Sequence, residues 1–164
     1  MNLYLMCHAT PTELDENVDD NQRPLTEKGR KKLSQIARSL EKLDLEFDVI
    51  ITSPYLYARQ TANIVADALD IKKKCVLDSD NLTPPGSGEK LIEEINAREA
   101  VDNLLIVGHE SFLSQLIGML LAGDASLSID MKKAGLCKLT IEQLSYGRCA
   151  MLEWLLTPAQ LTAI

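Results

Sequence analysis

Aromatic side chains make up only 4% of this 164-residue chain, so any core has to be aliphatic. A basic surplus is also missing: 17 Lys and Arg face 24 Asp and Glu, for a formal net charge of -7. Phosphate backbones and anionic lipid surfaces both require clustered Lys and Arg, so neither a nucleic acid nor a membrane is expected as a partner. No hydrophobic stretch is long enough to span a bilayer. Met1-Asn2-Leu3-Tyr4-Leu5 lacks a basic leader and reads as a strand, not a secretion signal. The four cysteines (Cys7, Cys75, Cys137 and Cys149) form no Cys-x-x-Cys pair, so reduced thiols in a cytoplasmic protein are expected. Histidine is rarer still, with two copies, His8 and His109.

What is present describes one folded domain over residues 1–164. Hydrophobic residues reach 46%, enough for a real core. Strand-like runs lie at 2–7, 47–52, 103–107, 135–141 and 149–155, and those at 47–52 and 103–107 are almost wholly apolar, as in strands buried on both faces. Helical patterns separate them. Thr26 caps one, with Leu33, Ile36, Ala37, Leu40 and Leu43 at helical spacing. Ser53-Pro54 reads as N-cap and first residue of a second, which turns Thr61, Ile64, Val65, Ala68 and Leu69 inward. A third follows His109, with Glu110 in its first turn and Gly123 at its end. Residues 81–88 read as a surface loop, and 135–155 as a hairpin around Ser145-Tyr146-Gly147. Glu13, Asp15, Glu16, Asp19 and Asp20 form an acidic loop, read as solvated. The alternation implies an α/β fold: a single three-layer domain with a mainly parallel central sheet and helices on both faces.

Each histidine stands where a buried strand runs out, and ligands in open α/β sheets bind at the carboxyl ends of strands. Singly, each reads as a polar cap on a strand end; as a pair they read as a site. One neutral imidazole can attack phosphorus while the other donates to the phosphoryl oxygens. Such a site also needs cations, because phosphoryl transfer is catalysed mainly by positioning and charge stabilisation. Arg23 and Arg59 are the candidates, with backbone N–H groups at Ser53 and Glu110 as further donors. Taken alone, each arginine reads as an exposed charge or a partner for the acidic loop.

These segments resemble a known family. Leu5-Met6-Cys7-His8-Ala9 sits where the histidine phosphatase superfamily carries Arg-His-Gly. Arg23-Pro24-Leu25-Thr26-Glu27-Lys28-Gly29 is similar to the Arg-Pro-Leu-Thr-x-x-Gly segment of its SixA-type phosphohistidine phosphatases. Ser53-Pro54-Tyr55-Leu56-Tyr57-Ala58-Arg59-Gln60-Thr61-Ala62, Val107-Gly108-His109-Glu110, Lys132-Lys133-Ala134-Gly135 and Trp154-Leu155-Leu156-Thr157-Pro158 continue the likeness in order. The resemblance implies a phosphoglycerate-mutase-like fold. It implies a phosphatase with His8 as nucleophile, His109 as its partner, and phosphate contacts at positions 7 and 57, to which the candidate Arg23 would add. Neither a cofactor nor a metal is implied. The implied substrate is a phosphorylated protein, such as a phosphohistidine relay domain, or a small phosphoester.

The chain departs from the pattern at two of those contacts. The signature arginine is Cys7, and the phosphate-binding arginine four residues after the serine of Ser-Pro is Tyr57. Arg59 is two residues on, about 200° around a helix. Each lost charged donor costs about 1.5–3 kcal/mol toward a bound anion. Tyr57 offers a neutral hydroxyl instead, and a catalytically impaired relative acting as a binding or regulatory module is the alternative reading. A cysteine phosphatase is excluded, because its loop would need an arginine where Glu13 stands. Cys7 reads as a small buried hydrophobe, and adjacent Cys7 and His8 are poorly spaced for zinc.

Overall fold

The computed structural model describes residues 1–164. Its elements run β1 (Asn2–Cys7), α1 (Glu27–Lys42), β2 (Val49–Thr52), α2 (Leu56–Ala68), β3 (Val76–Asp78), α3 (Gly88–Asn96), β4 (Asn103–Gly108), α4 (Phe112–Ala122), β5 (Leu136–Ile141), β6 (Ala150–Leu156) and α5 (Pro158–Thr162). The six strands form one sheet in the order β3-β2-β4-β1-β5-β6. The β3-β2, β2-β4 and β4-β1 pairs are parallel, while β5 pairs antiparallel with both β1 and β6. No helix is long and apolar enough to cross a membrane.

The period-two alternation of β1 divides the core. Leu3, Leu5 and Cys7 pack with α3 and α4 through Leu91, Ile92, Leu113, Leu116 and Ile117. Tyr4 and Met6 pack on the opposite face, with Leu33, Ile36 and Leu40 of α1, Ala62 and Val65 of α2, and Leu161 of α5. Helices therefore cover both faces of a mainly parallel sheet. Tyr4 and Phe47 meet edge to face, their ring centroids 4.9 Å apart, which places two of the few aromatics together under α1.

Several sequence expectations shift. The strand expected at 47–52 begins at Val49. The helix expected from Ser53-Pro54 begins at Leu56, with Tyr55 at the cap. Ser53 is still strand-like, its N–H donating to the Val107 carbonyl at 3.0 Å, so the chain must turn before it can coil. The inward face of α2 is Tyr57, Ala58, Thr61, Ala62, Val65 and Ala66, one step around from the expected stripe; Ile64, Ala68 and Leu69 are only partly buried. Leu43 ends α1 partly exposed. The loop expected at 81–88 contains a 3-10 turn at Asp80–Leu82, and Ser87 caps α3 within what read as loop. Glu110 lies ahead of α4, but its carboxylate accepts from the Ser114 N–H at 2.9 Å and so still serves the helix N-terminus. Gly123 ends α4 at φ 69°, the left-handed conformation expected of it.

Candidate active site

β1 and β4 are neighbours in register, with Cys7 opposite Gly108, so the residues that follow them emerge side by side. The His8 N–H donates to the Gly108 carbonyl at 3.0 Å, which ties the two strand ends together. His8 and His109 consequently face each other with ring centroids 5.3 Å apart. β2 ends beside them, bringing Ser53 and then Tyr55 and Tyr57 into the same corner. Tyr57 lies 4.4 Å from His8, and Tyr55 4.9 Å from His109, centroid to centroid.

His8 is 8% exposed and His109 3%. Burial lowers both imidazole pKa values to about 4, more than offsetting the hydrogen bond from His8 to Ala9 and the attraction of Asp20. Both rings are therefore neutral near pH 7. His8 Nδ1 lies 2.7 Å from the Ala9 carbonyl, which can only accept, so Nδ1 carries the proton and Nε2 keeps its lone pair. No fully buried side-chain nitrogen or oxygen lacks a partner, so the unpartnered Nε2 of His8 is reachable from solvent. The Ala9 N–H donates to Thr61 Oγ1 at 3.0 Å, and Thr61 in turn donates to the Tyr57 carbonyl at 2.8 Å, locking the loop after His8 to α2.

Of the expected anion contacts, Arg23 and Tyr57 reach this corner. The Arg23 guanidinium lies 5.3 Å from the Tyr57 ring centroid and is 14% exposed. It is already engaged: Nε and Nη2 reach Asp20 Oδ1 at 2.7 and 2.6 Å, and Nη1 donates to the Thr12 carbonyl at 2.6 Å. Tyr57 Oη stands between His109 Nδ1 at 3.3 Å and Asp20 Oδ2 at 3.4 Å. Burial first, and then Asp20, pushes its phenol up to about 12, so it remains a neutral donor. Arg59 is not brought in: it pairs with Asp78 at 3.3 Å and lines a separate cavity with Asn63, Asp67 and Lys73. Cys7 projects into the α3–α4 core and burial pushes its thiol up to about 12, so it acts as a packed hydrophobe with no anion-binding character. Lys132 pairs with Asp130 at 2.8 Å, while exposed Lys133 is close enough to lower the basicity of His8.

Three contributors escaped the sequence reading. Asp20 read as part of a solvated loop. Ser53 read as a helix cap, but its Oγ lies 2.7 Å from His109 Nε2. Tyr55 carried no signal beyond its place after Ser53-Pro54. The partnership of Asp20 with Arg23 at i,i+3 was the one cue available from spacing. None of the five principal cavities is lined by either histidine. The largest, about 450 Å³, lies beyond the amino ends of the strands, around Asp44–Asp48 and Ala68–Lys72.

A three-layer α/β domain with two histidines at adjacent carboxyl ends of parallel strands belongs to the phosphoglycerate-mutase-like folds. The chain is a member of the histidine phosphatase superfamily, whose branch 1 description matches residues 3–80. It is 33% identical to an uncharacterized protein of Picosynechococcus sp., over 83% of this chain and 82% of that one. It is 28% identical to the phosphohistidine phosphatase SixA of Escherichia coli, over 76% of each chain. The structure of the protein histidine phosphatase SixA complexed with tungstate superposes with a TM-score of 0.82 at 25% identity, covering 98% of this chain and 99% of that one.

Proposed function

We propose that this protein is a cytoplasmic phosphohistidine phosphatase that acts on a phosphorylated protein through a phospho-His8 intermediate, with residues 1–164 working as one unit. The observation that carries the reading is the state of His8: Nδ1 is committed to the Ala9 carbonyl and Nε2 is unprotonated, accessible and faces His109. The Nε2 lone pair attacks the substrate's phosphorus as the N–P bond to the substrate imidazole breaks. That imidazole leaves as a neutral ring after taking a proton from solvent, being basic near pH 6.5, so no separate general acid is required. Water then attacks phospho-His8, orthophosphate departs and His8 returns to its starting state. His109 faces the transferring group, and Arg23 and Tyr57 stand at its edge.

Four free cysteines support the compartment. The similarity to SixA proteins supports the substrate class.

One observation favours a second reading, a binding or regulatory module. The guanidinium at the pocket edge is already neutralised by Asp20, and positions 7 and 57 supply no further cation. The two readings separate in one experiment. The chain and His8→Ala are incubated with a phosphohistidine-bearing protein, and released phosphate and acid-labile label on the chain are followed. Release and label with the parent, both absent in His8→Ala, are expected. Neither with either protein, both folded by circular dichroism, would leave the binding module.

A further inference from the structure

The contacts of His109 point to a role for two side chains, Asp20 and Ser53, beyond the anion contacts considered so far. We infer that Asp20 and Ser53 are positioning residues that hold His109 as its Nδ1–H tautomer, keeping its one N–H, bonded to Tyr57, on the side of the ring that faces His8. The catalytic part of this inference rests on the phosphatase reading; the tautomer itself does not.

The argument is one of counting protons along a chain of contacts. The Asp20 carboxylate, paired with Arg23, can only accept. Tyr57 has one hydroxyl proton, and its contact with Asp20 Oδ2 at 3.4 Å uses it. The contact between Tyr57 Oη and His109 Nδ1 at 3.3 Å can then be a hydrogen bond only if Nδ1 is the donor. At the other edge of the ring, Ser53 Oγ already accepts from the Tyr55 N–H at 3.3 Å. Its own proton is free for His109 Nε2 at 2.7 Å, a shorter contact than those of Tyr57 with His109 and Asp20. The Tyr57 end requires, and the Ser53 end accommodates, one arrangement: Ser53 O–H to Nε2, Nδ1–H to Tyr57, Tyr57 O–H to Asp20. The reverse arrangement leaves Asp20 without a donor from Tyr57.

The direction matters because the two ring nitrogens face different surroundings. Nε2 faces Ser53, which is wholly buried. Nδ1 faces Tyr57, whose ring stacks beside His8, and beyond it the partly exposed Asp20. Nδ1 is therefore the nitrogen on the side from which a phosphoryl group approaches His8. In the free protein the Nδ1 proton is held by Tyr57, from which an arriving phosphoryl oxygen can take it over, whereas the opposite tautomer has only a lone pair there, which repels phosphoryl oxygens. The depressed basicity of His109 keeps the ring in a single neutral form, for which the tautomer is the only variable.

Long-range proton–nitrogen correlation spectra of the labelled, full-length protein at neutral pH test this directly. With two histidines in the chain, His8→Ala assigns both rings. In the parent, His109 Nδ1 is expected at the position of a protonated nitrogen and Nε2 at that of a bare one. In Asp20→Asn the amide can donate to Tyr57, whose proton then turns to Nδ1, so the two nitrogen shifts should move toward each other or exchange. Tyr57→Phe should move them in the same direction, and it preserves the packing if Asp20→Asn folds poorly. His8, held by a backbone carbonyl, should keep its Nδ1–H pattern in both variants. A parent His109 with Nε2–H or averaged shifts overturns the inference, as do shifts unmoved in both variants. The expected spectra in a protein that releases no phosphate would sink the phosphatase reading and leave the tautomer assignment standing.

Discussion

At the scale of the residue, Tyr57 marks the largest departure. Where the resemblance implies a guanidinium, the structure has a buried phenol that stays neutral and bonds to His109 and Asp20. Charged hydrogen-bond donors contribute about 1.5–3 kcal/mol, or roughly 10–100-fold in affinity. Tyr57→Arg is therefore expected to tighten tungstate binding at least about tenfold by calorimetry. An unchanged affinity would mean that Asp20 neutralises the new cation as it does Arg23. The second residue-level expectation concerns pH. In the proposed mechanism His8 must be unprotonated to attack, and its pKa is lowered to about 4, chiefly by burial. Turnover of phosphoramidate should therefore be level from about pH 6 upward in its His8 dependence and fall on the acid side with an apparent pKa near 4. An acid limb centred near pH 6.5 would show that the nucleophile is solvated like a free imidazole.

At the scale of the element, the segment Arg23–Gly29 does two jobs. It presents Arg23, and it starts α1 with Thr26 as N-cap, whose Oγ1 accepts from the Gly29 N–H at 2.9 Å. The same turn is held against the loop that follows His8, since the Thr26 N–H donates to the Thr10 carbonyl at 3.0 Å. Gly29 permits this closeness: a Cβ there would lie 2.8 Å from the Thr10 carbonyl oxygen and 3.0 Å from Thr26 Oγ1. Helix propensity alone favours alanine over glycine by about 1 kcal/mol. Overpacking against backbone costs about 1–3 kcal/mol. Gly29→Ala is thus expected to be net destabilising in urea denaturation and to lower turnover by shifting the loop that carries His8. A stabilised variant with normal turnover would show that the loop yields freely.

At the scale of the whole molecule, burying two neutral histidines couples stability to pH. Each has a folded pKa of about 4 against about 6.5 in the unfolded chain. Between these values the unfolded chain binds more protons, so stability rises with pH through this window and is lost as pH falls from about 6.5 toward 4. The histidine contribution approaches about 3 kcal/mol for each ring, from the 1.36 kcal/mol carried by each pKa unit. Denaturation midpoints in urea at pH 7 and pH 4.5 measure the total. His8→Ala should reduce the difference between the two conditions, and an equal difference in the variant would contradict the burial cost assigned to His8.

Much of the frame was legible from the chain alone. Strand-length apolar runs mark β1, β2, β4, β5 and β6, and period-3.6 hydrophobic patterns mark α1 and α4, because burial of an element's faces is written in local spacing. The scarcity of histidine and its place at two strand ends single out His8 and His109 as candidate site residues. Short β3 and the helices α3 and α5 carry too few residues for a period to stand out. The rest of the site was decided by tertiary contact. Asp20 reads like its four acidic neighbours, and only the fold carries it to Tyr57 and Arg23. Ser53 has the composition of a helix cap, yet its hold on β4 keeps it extended and gives its hydroxyl to His109. Arg59 and Cys7 stand beside site residues in sequence and are turned away from the site, by a helix rotation and a strand alternation respectively. Sequence determines which residue types are available and how each element faces. Which polar groups share a proton depends on distances of about 3 Å between distant segments, and those exist only once the sheet has brought the ends of β1, β2 and β4 together.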